Sequence, residues 1–351
     1  MSYKRAIVGI VKDPHDHLRY KIRLIEIKRL LESLGITVVG EVVQSLRKST
    51  SAYLFGRGKV EEIREIMEER DADVLVTYNA LKPNQKINLM RLLGKDVIDR
   101  YELTLMIFER EAQDYLAKLQ IEYARLRIWK PLAKAMIALR YYGHRPGFLA
   151  GGEYGYRGML RMINKRMKTL EREINERLKA KERRIKKIKE RFPIVCITGY
   201  YNAGKTTLFN ALTGASREVS DRPFTTLSPK YKPIYWKREI MLVDTIGFVI
   251  DVDPRFIGSF QLNLLDIKYA DLVLFLVSAD DPAFVVRFKI NQGLDFLPNK
   301  NAMIVLNKID LIEDPREFME AVGYEGKRIA ISAKKKIGLE RLLNAIVDEI
   351  S

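Results

Sequence analysis

Over residues 1–100 short apolar runs alternate with amphipathic stretches. The runs 6-AIVGIV-11 and 36-ITVVGEVV-43 are rich in β-branched residues and predict strands. Between them 22-IRLIEIKRLLESL-34 carries apolar residues at helical spacing and stops at Gly35. A second helix, 59-KVEEIREIMEER-70, follows the tight turn 55-FGRG-58; strand 73-DVLVTY-78, helix 83-PNQKINLMRLL-93 and strand 96-DVID-99 complete the series. Strand–helix alternation of this kind implies a small parallel sheet covered by helices, here an N-terminal α/β domain over residues 1–102.

At residue 103 the period changes. Leu105, Phe108, Ala112, Tyr115, Leu119, Leu126, Trp129, Ala133 and Met136 follow a three–four stagger, with Glu122 the polar exception. Leu160, Ile163, Met167, Leu170, Ile174, Ile185 and Ile188 repeat it, interrupted by Arg177 and Lys181. Between the two lies 143-GHRPGFLAGGEYGYRG-158, rich in glycine and aromatics and expected to form a tip loop. Two seams joined by one loop predict a long antiparallel helical hairpin, a coiled-coil arm over residues 103–191. Thirty helical residues extend ~45 Å, and Pro131 is expected to kink or break the first arm.

From residue 192 to 351 the strand–loop–helix pattern returns: 194-IVCIT-198, then 205-KTTLFNALTG-214, then apolar strands 240-IMLVD-244, 271-DLVLFLVSA-279, 302-AMIVLN-307 and 328-RIAIS-332. Each strand ends beside a polar motif, and ligands of parallel α/β sheets bind at the carboxyl ends of strands.

The 351 residues, 47% of them hydrophobic, suffice for two or three packed domains. One cysteine, Cys196, excludes an intramolecular disulfide and suits a reducing compartment. No apolar run reaches the ~20 residues of a membrane-spanning helix, and MSYKRAIVGIVKD is too short in apolar residues for a signal peptide. A soluble cytoplasmic protein is expected. The net charge of +17 is uneven: residues 157–191 hold 15 Lys/Arg against 5 Asp/Glu, while residues 192–351 hold 20 of each. A basic field confined to one part of a chain points to a polyanionic partner. Arg157, Arg161, Lys165 and Arg166 flank the arm tip, with Tyr141, Tyr142, Tyr154 and Tyr156 in or beside it, a combination suited to RNA phosphates and unpaired bases. The competing reading is a solvated helical face with tyrosines packing the hairpin. His15, His17 and His144 lack metal-ligand spacing. The segment 56-GRGK-59 could cradle a second phosphate, although a plain strand-to-helix turn explains it better.

199-GYYNAGKT-206 fits the phosphate-loop pattern G-x-x-x-x-G-K-[ST], directly after a strand and opening a helix. The loop residues Asn202, Ala203, Gly204, Lys205, Thr206 and Thr207 are the candidate phosphate contacts, with Lys205 on the β and γ phosphates and Thr206 on Mg²⁺. In 244-DTIG-247, Asp244 would reach Mg²⁺ through water and the Gly247 N–H would sense the γ-phosphate. In 307-NKID-310 the Asp310 carboxylate would accept from guanine N1–H and N2–H₂, which adenine does not offer; Asn307 would support the loop and the Lys308 stem would cover the base. In 332-SAK-334, comprising Ser332, Ala333 and Lys334, the Ala333 N–H could meet guanine O6. The four motifs in order, each at a strand end, predict a P-loop GTPase domain of the Ras-like kind that binds GTP or GDP.

The chain resembles the HflX family of translation-associated GTPases over nearly its whole length. The resemblance rests on 56-GRGKVEEI-63, 99-DRYELTLMIFEREAQDYLAKLQIEYARL-126, the GGE at 151–153, GYYNAGKTTLFNALTG at 199–214, FTTLSP at 224–229 and DTIGF at 244–248. It implies an N-terminal α/β domain, a helical arm and a G domain that associate with the large ribosomal subunit and its RNA; bacterial members can split ribosomes. It selects Thr226 over Thr225 as the third Mg²⁺ ligand, so that Lys205, Thr226 and Gly247 are the expected catalytic groups. It also makes Phe248 the expected residue after DTIG, where many GTPases carry a water-orienting glutamine. Slow unassisted turnover is therefore expected, with the missing positioning supplied by a partner or by a rearranged switch loop. Alternatively, Asn202 resembles the phosphate-loop asparagine of potassium-activated GTPases and admits K⁺ beside the phosphates. A monomer is expected, acting on neither membrane nor DNA. Two further readings stay open: an RNA-binding module that holds nucleotide structurally, and a membrane-surface GTPase using 179-KAKERRIKKIKER-191.

Overall fold

A computed structural model describes residues 3–112, 115–142, 150–214, 229–245, 247–248, 250–251, 261–297 and 301–350, with backbone alone over 137–142, 150–157 and 261–264. The chain forms two compact units, Met1–Arg110 with Lys118–Ile174, and Glu111–Ala117 with Asn175–Ser351.

The first unit opens with the alternation that the sequence predicts: β1 (Arg5–Lys12), α1 (Arg19–Ser33), β2 (Thr37–Ser45), α2 (Arg57–Glu69), β3 (Val74–Thr77), α3 (Pro83–Leu93) and β4 (Asp96–Asp99). The four strands are parallel, in the order β2-β1-β3-β4. α2 turns Val60, Ile63 and Met67 onto this sheet, and each is fully or almost fully buried. Its N-cap, Gly56, donates its N–H to Gln44 Oε1 at 2.9 Å. The GRGK segment is thus seated against β2 at the entry to α2.

α4 (Arg100–Glu111) and α5 (Tyr115–Tyr142) follow, then α6 (Ala150–Lys189), 40 residues long and so ~60 Å. Going from Tyr115 to Glu122, the partner on α6 moves back from Arg177, stacked over the Tyr115 ring at 4.7 Å, to Arg166, bidentate to Glu122 at 2.6 Å; α5 and α6 run antiparallel.

The arm departs from its sequence reading in three ways. α5 continues through Pro131. Pro131 and Arg127 both lie on the exposed face, where water can take the carbonyl bond that proline cannot donate to. α4 ends at Glu111 and α5 begins at Tyr115, with residues 113–114 outside the described residues. Second, α6 starts at Ala150, so the expected loop 143–158 is helical from there on; residues 143–149 lie outside the described residues. Glycine costs ~1 kcal/mol per helical position, but extending an existing helix needs no new nucleus. Third, the seam of α5 is displaced in part. Leu119 and Ala133 are buried as expected, but Tyr115, Trp129 and Met136 are about half exposed, while Ala117, Ile121, Ala124 and Leu132 are buried outside it. On α6, Ile163, Leu170, Ile174 and Ile185 are buried as expected.

The second unit is built on β5 (Ile194–Gly199), α7 (Lys205–Thr213), β6 (Lys230–Trp236), β7 (Arg238–Asp244), α8 (Gln261–Tyr269), β8 (Leu272–Ser278), α9 (Ala283–Asp295), β9 (Ala302–Asn307), a 3₁₀ turn (Ile309–Leu311), α10 (Pro315–Val322), β10 (Arg328–Ala330) and α11 (Leu339–Ile350). Its sheet order is β10-β9-β8-β5-β7-β6, parallel except for β6, which forms a hairpin with β7. The inner strands β5 and β8 are buried at every position, matching their unbroken apolar sequences. Cys196 is fully buried in β5, against Thr245. Among the described residues, no helix is long and apolar enough to cross a membrane.

Candidate functional site

The sheet order carries four motif loops to one edge. β5 and β7 are neighbours in a register that sets Ile197 against Asp244. The loop after β5 and the end of β7 therefore meet. Thr206, in the first turn of α7, donates its hydroxyl to Asp244 Oδ2 at 3.1 Å. Asp244 is fully buried. A hydroxyl and a carboxylate side by side form a hard-oxygen pair, the donor type that Mg²⁺ takes alongside phosphates and water. Among the described residues no cluster of three or more His, Cys, Asp or Glu could hold a metal by itself. The site thus suits an ion that completes its coordination with phosphate and water.

Lys205 is buried and donates to the Tyr200 carbonyl at 2.8 Å. Burial pushes its ammonium down to about 8, partly opposed by Asp244. Gly247 presses on the same loop: a Cβ there would lie 2.7 Å from Lys205 Nζ and 3.2 Å from the Tyr201 nitrogen. The next residue zips onto the phosphate loop, with Phe248 N–H donating to the Gly199 carbonyl at 2.9 Å and Tyr201 N–H to the Phe248 carbonyl at 3.0 Å. The Phe248 ring stacks on Phe275 and Phe296, with centroids 6.2 and 6.0 Å away, and is 8% exposed. The residue after DTIG is therefore committed to an aromatic cluster.

At the other end of the edge, Asn307 closes β9. Its Nδ2 donates to the Ala203 carbonyl at 2.8 Å and its Oδ1 accepts from the Ala333 N–H at 2.9 Å. One amide thus ties the phosphate loop to the SAK loop. Its closeness explains Gly204: φ is +85°, and a Cβ would lie 2.2 Å from Asn307 Nδ2. The Ala333 N–H, expected to meet guanine O6, is here taken by Asn307. Ser332, fully buried, donates to Asp310 Oδ1 at 2.5 Å and orients that exposed carboxylate. Lys308 adopts φ +66° and pairs with Asp280 at 2.8 Å.

Lys205, Thr206, Asp244 and Gly247 are thus brought together on one side, and Asn307, Asp310, Ser332 and Ala333 on the other, joined through Ala203 and Gly204. Asn202 stands exposed in the phosphate loop with φ +60°. Thr207 is half-buried in α7, and Lys334 is exposed. Thr226 lies outside the described residues. The sequence reading overlooked Tyr200, Asp280, Asp281 and Lys289. Lys289 is buried in α9, pairs with Asp281 at 2.5 Å and stands 5.4 Å over the Tyr200 ring, behind the carbonyl that holds Lys205. The signal was the polar run 279-ADDP-282, placed at the carboxyl end of the central strand β8.

The family described as "GTP-binding GTPase N-terminal" matches residues 21–109, and the one described as "50S ribosome-binding GTPase" matches residues 194–308. The GTPase HflX of Thermofilum pendens is 35% identical over 92% of this chain and 78% of its own length. That of Escherichia coli is 30% identical over 93% of this chain and 78% of its own. The crystal structure of a GTP-binding protein from Sulfolobus solfataricus in complex with GDP superposes with a TM-score of 0.50 at 26% identity, covering 99% of this chain and 98% of that one. With a family model matched in each half and relatives at 30–35% identity aligned over more than nine-tenths of its length, the chain belongs to the HflX family of GTPases.

Proposed function

We propose that this GTPase is a cytoplasmic, monomeric switch for the large ribosomal subunit, slow on its own and accelerated by the ribosome. The observation that carries the reading is the placement of Phe248: its ring is stacked into the Phe275–Phe296 cluster and its backbone is bonded to the phosphate loop. A residue so fixed offers no hydrogen bond to the attacking water. A partner must then supply the positioning that other GTPases build in. The matched family description, "50S ribosome-binding GTPase", supports the large subunit as that partner. The exposed arm residues Arg161 and Lys165 support a polyanionic contact, which in this reading is rRNA and neither DNA nor a membrane.

In this reading Lys205 leaves the Tyr200 carbonyl for the β and γ phosphates, and the Gly247 N–H reads the γ-phosphate. Asn202, Ala203, Gly204 and Thr207 line the phosphates. Asp310 selects guanine, held in place by Ser332, while Asn307, Lys308, Ala333 and Lys334 shape the base pocket. Thr206, Asp244 and Thr226 would hold Mg²⁺, which supplies neutralisation of phosphate charge. Asn202 offers an exposed amide oxygen through which K⁺ could assist. Release from ribosomes, or their splitting, would follow hydrolysis.

Sedimentation with large subunits tests the reading. The protein should pellet with them when loaded with a non-hydrolysable GTP analogue and stay free when loaded with GDP. Equal pelleting in both states would favour a passive RNA-binding module, and flotation with anionic vesicles a membrane-surface GTPase. Turnover at least tenfold faster in potassium than in sodium would assign the Asn202 role; equal turnover would remove it.

A further inference from the structure

One buried carboxylate lies where three segments of the second unit converge. Asp266, in α8, is 1% exposed. It accepts from Lys181 Nζ at 2.5 Å and from the Tyr231 hydroxyl. Lys181 belongs to α6. Tyr231 is the second residue of β6, two positions beyond FTTLSP, and it pairs in register with Val243, the neighbour of Asp244. α8 begins 13 residues after Phe248. Asp266 therefore joins the arm helix to the first element after each of the two segments that touch the γ-phosphate in GTPases of this kind.

The surroundings extend the contact. Arg184 stands 5.6 Å over the Tyr231 ring, Glu182 accepts from the Tyr269 hydroxyl, and Lys189 donates to the Tyr269 carbonyl at 2.9 Å and pairs with Asp271 at 2.7 Å. Four residues of α6, spread over more than two turns, thus grip α8 and β6. Part of the basic run 179–191 serves this grip. Asp266 also raises the Tyr231 hydroxyl far above its ordinary value, after burial itself, so the tyrosine stays a proton donor.

We propose that Asp266, with Lys181 and Tyr231, is the coupling node through which the bound nucleotide and the arm helix set one another's state. The Asp266 carboxylate is buried, so an arrangement of α6, α8 and β6 that separates it from Lys181 or Tyr231 leaves its charge poorly satisfied. A nucleotide that shifts β6 or α8 must therefore shift α6 with it. By reciprocity, any ligand that moves α6 changes the preference between GTP and GDP by the same factor. Asp266, Lys181 and Tyr231 are positioning residues: they touch neither phosphate nor base.

Full-length wild type, Lys181→Met, Tyr231→Phe and Asp266→Asn are compared by two readouts: the ratio of affinities for GDP and a GTP analogue, and amide exchange of residues 175–189 in each nucleotide state. The proposal expects exchange of that segment to differ between states in wild type. It expects the difference to vanish in Lys181→Met and Tyr231→Phe, with the affinity ratio shifted at least fivefold. Tyr231→Phe keeps the Lys181–Asp266 pair, so it reports even if Asp266→Asn or Lys181→Met fails to fold. A purely structural node would lower the melting temperature and leave the ratio and the exchange difference unchanged, and that result would overturn the proposal.

Discussion

Asn307 joins the phosphate loop to the SAK loop, which in the proposed function hold opposite ends of one nucleotide. Its amide serves the Ala203 carbonyl and the Ala333 N–H inside a region where it is itself 2% exposed. Replacing it by alanine strands both, and each buried unsatisfied group costs ~1–3 kcal/mol. Asn307→Ala should weaken GDP binding by roughly ten- to a hundredfold in calorimetry, without loss of the fold. Asp310 makes a chemically sharper prediction. Its carboxylate offers acceptors only; an amide in its place turns one into a donor. Asp310→Asn should reduce guanine-nucleotide affinity at least tenfold while gaining affinity for a xanthine nucleotide, whose C2 oxygen accepts from that amide; competition binding measures both. Lys205 carries a pH dependence. Burial holds its ammonium at about 8, below its usual value of 10.5. Between those two values the unfolded chain binds more protons than the folded one, so stability rises with pH across that window. Nucleotide-free and metal-free protein should therefore gain stability from pH 8 to pH 10 relative to Lys205→Met, in denaturant titrations at each pH.

At the level of elements, the arm separates what periodicity reveals from what it conceals. Strands such as β5 and β8 were legible because burial on both faces leaves only apolar residues; the four motif loops follow β5, β7, β9 and β10. The four motifs of the candidate nucleotide edge stand directly after strand ends, which is what makes them readable in the sequence. α5 was not. It has apolar residues on more than one face, and a three–four stagger through Trp129 and Met136 fits as well as one through Ile121 and Ala124. Ala124 is fully buried, and so small a residue gives a weak hydrophobic signal. The node residues Lys181, Tyr231 and Asp266 were invisible because nothing local distinguishes a lysine that bonds a distant helix from one in water. Lys181 in fact registered only as a flaw in the seam. The displaced register is testable. Leu170→Ala should cost ~3 kcal/mol in urea unfolding, since Leu170 is fully buried. Trp129→Ala should cost under ~1 kcal/mol, because that ring is 51% exposed. A reversed order would restore the seam through Trp129.

Across the whole molecule, the basic excess lies outside the G domain sequence, which is charge-balanced over residues 192–351. Part of the excess near residue 185 is spent on Asp266 and Asp271, leaving the exposed residues nearer the arm tip as the field available to a polyanion. Binding through such residues releases counterions and must weaken steeply with salt. Under the proposed function, a GTPase whose own residue after DTIG is packed away would hydrolyse GTP when its target is present. The most direct measurement is single-turnover GTP hydrolysis by the purified protein, alone and with saturating large ribosomal subunits, in potassium buffer. The account predicts slow hydrolysis alone and acceleration of at least tenfold with the subunits, ~1.4 kcal/mol or more off the barrier, fading as salt is raised. Fast hydrolysis by the isolated protein, or no acceleration despite bound subunits, would contradict it.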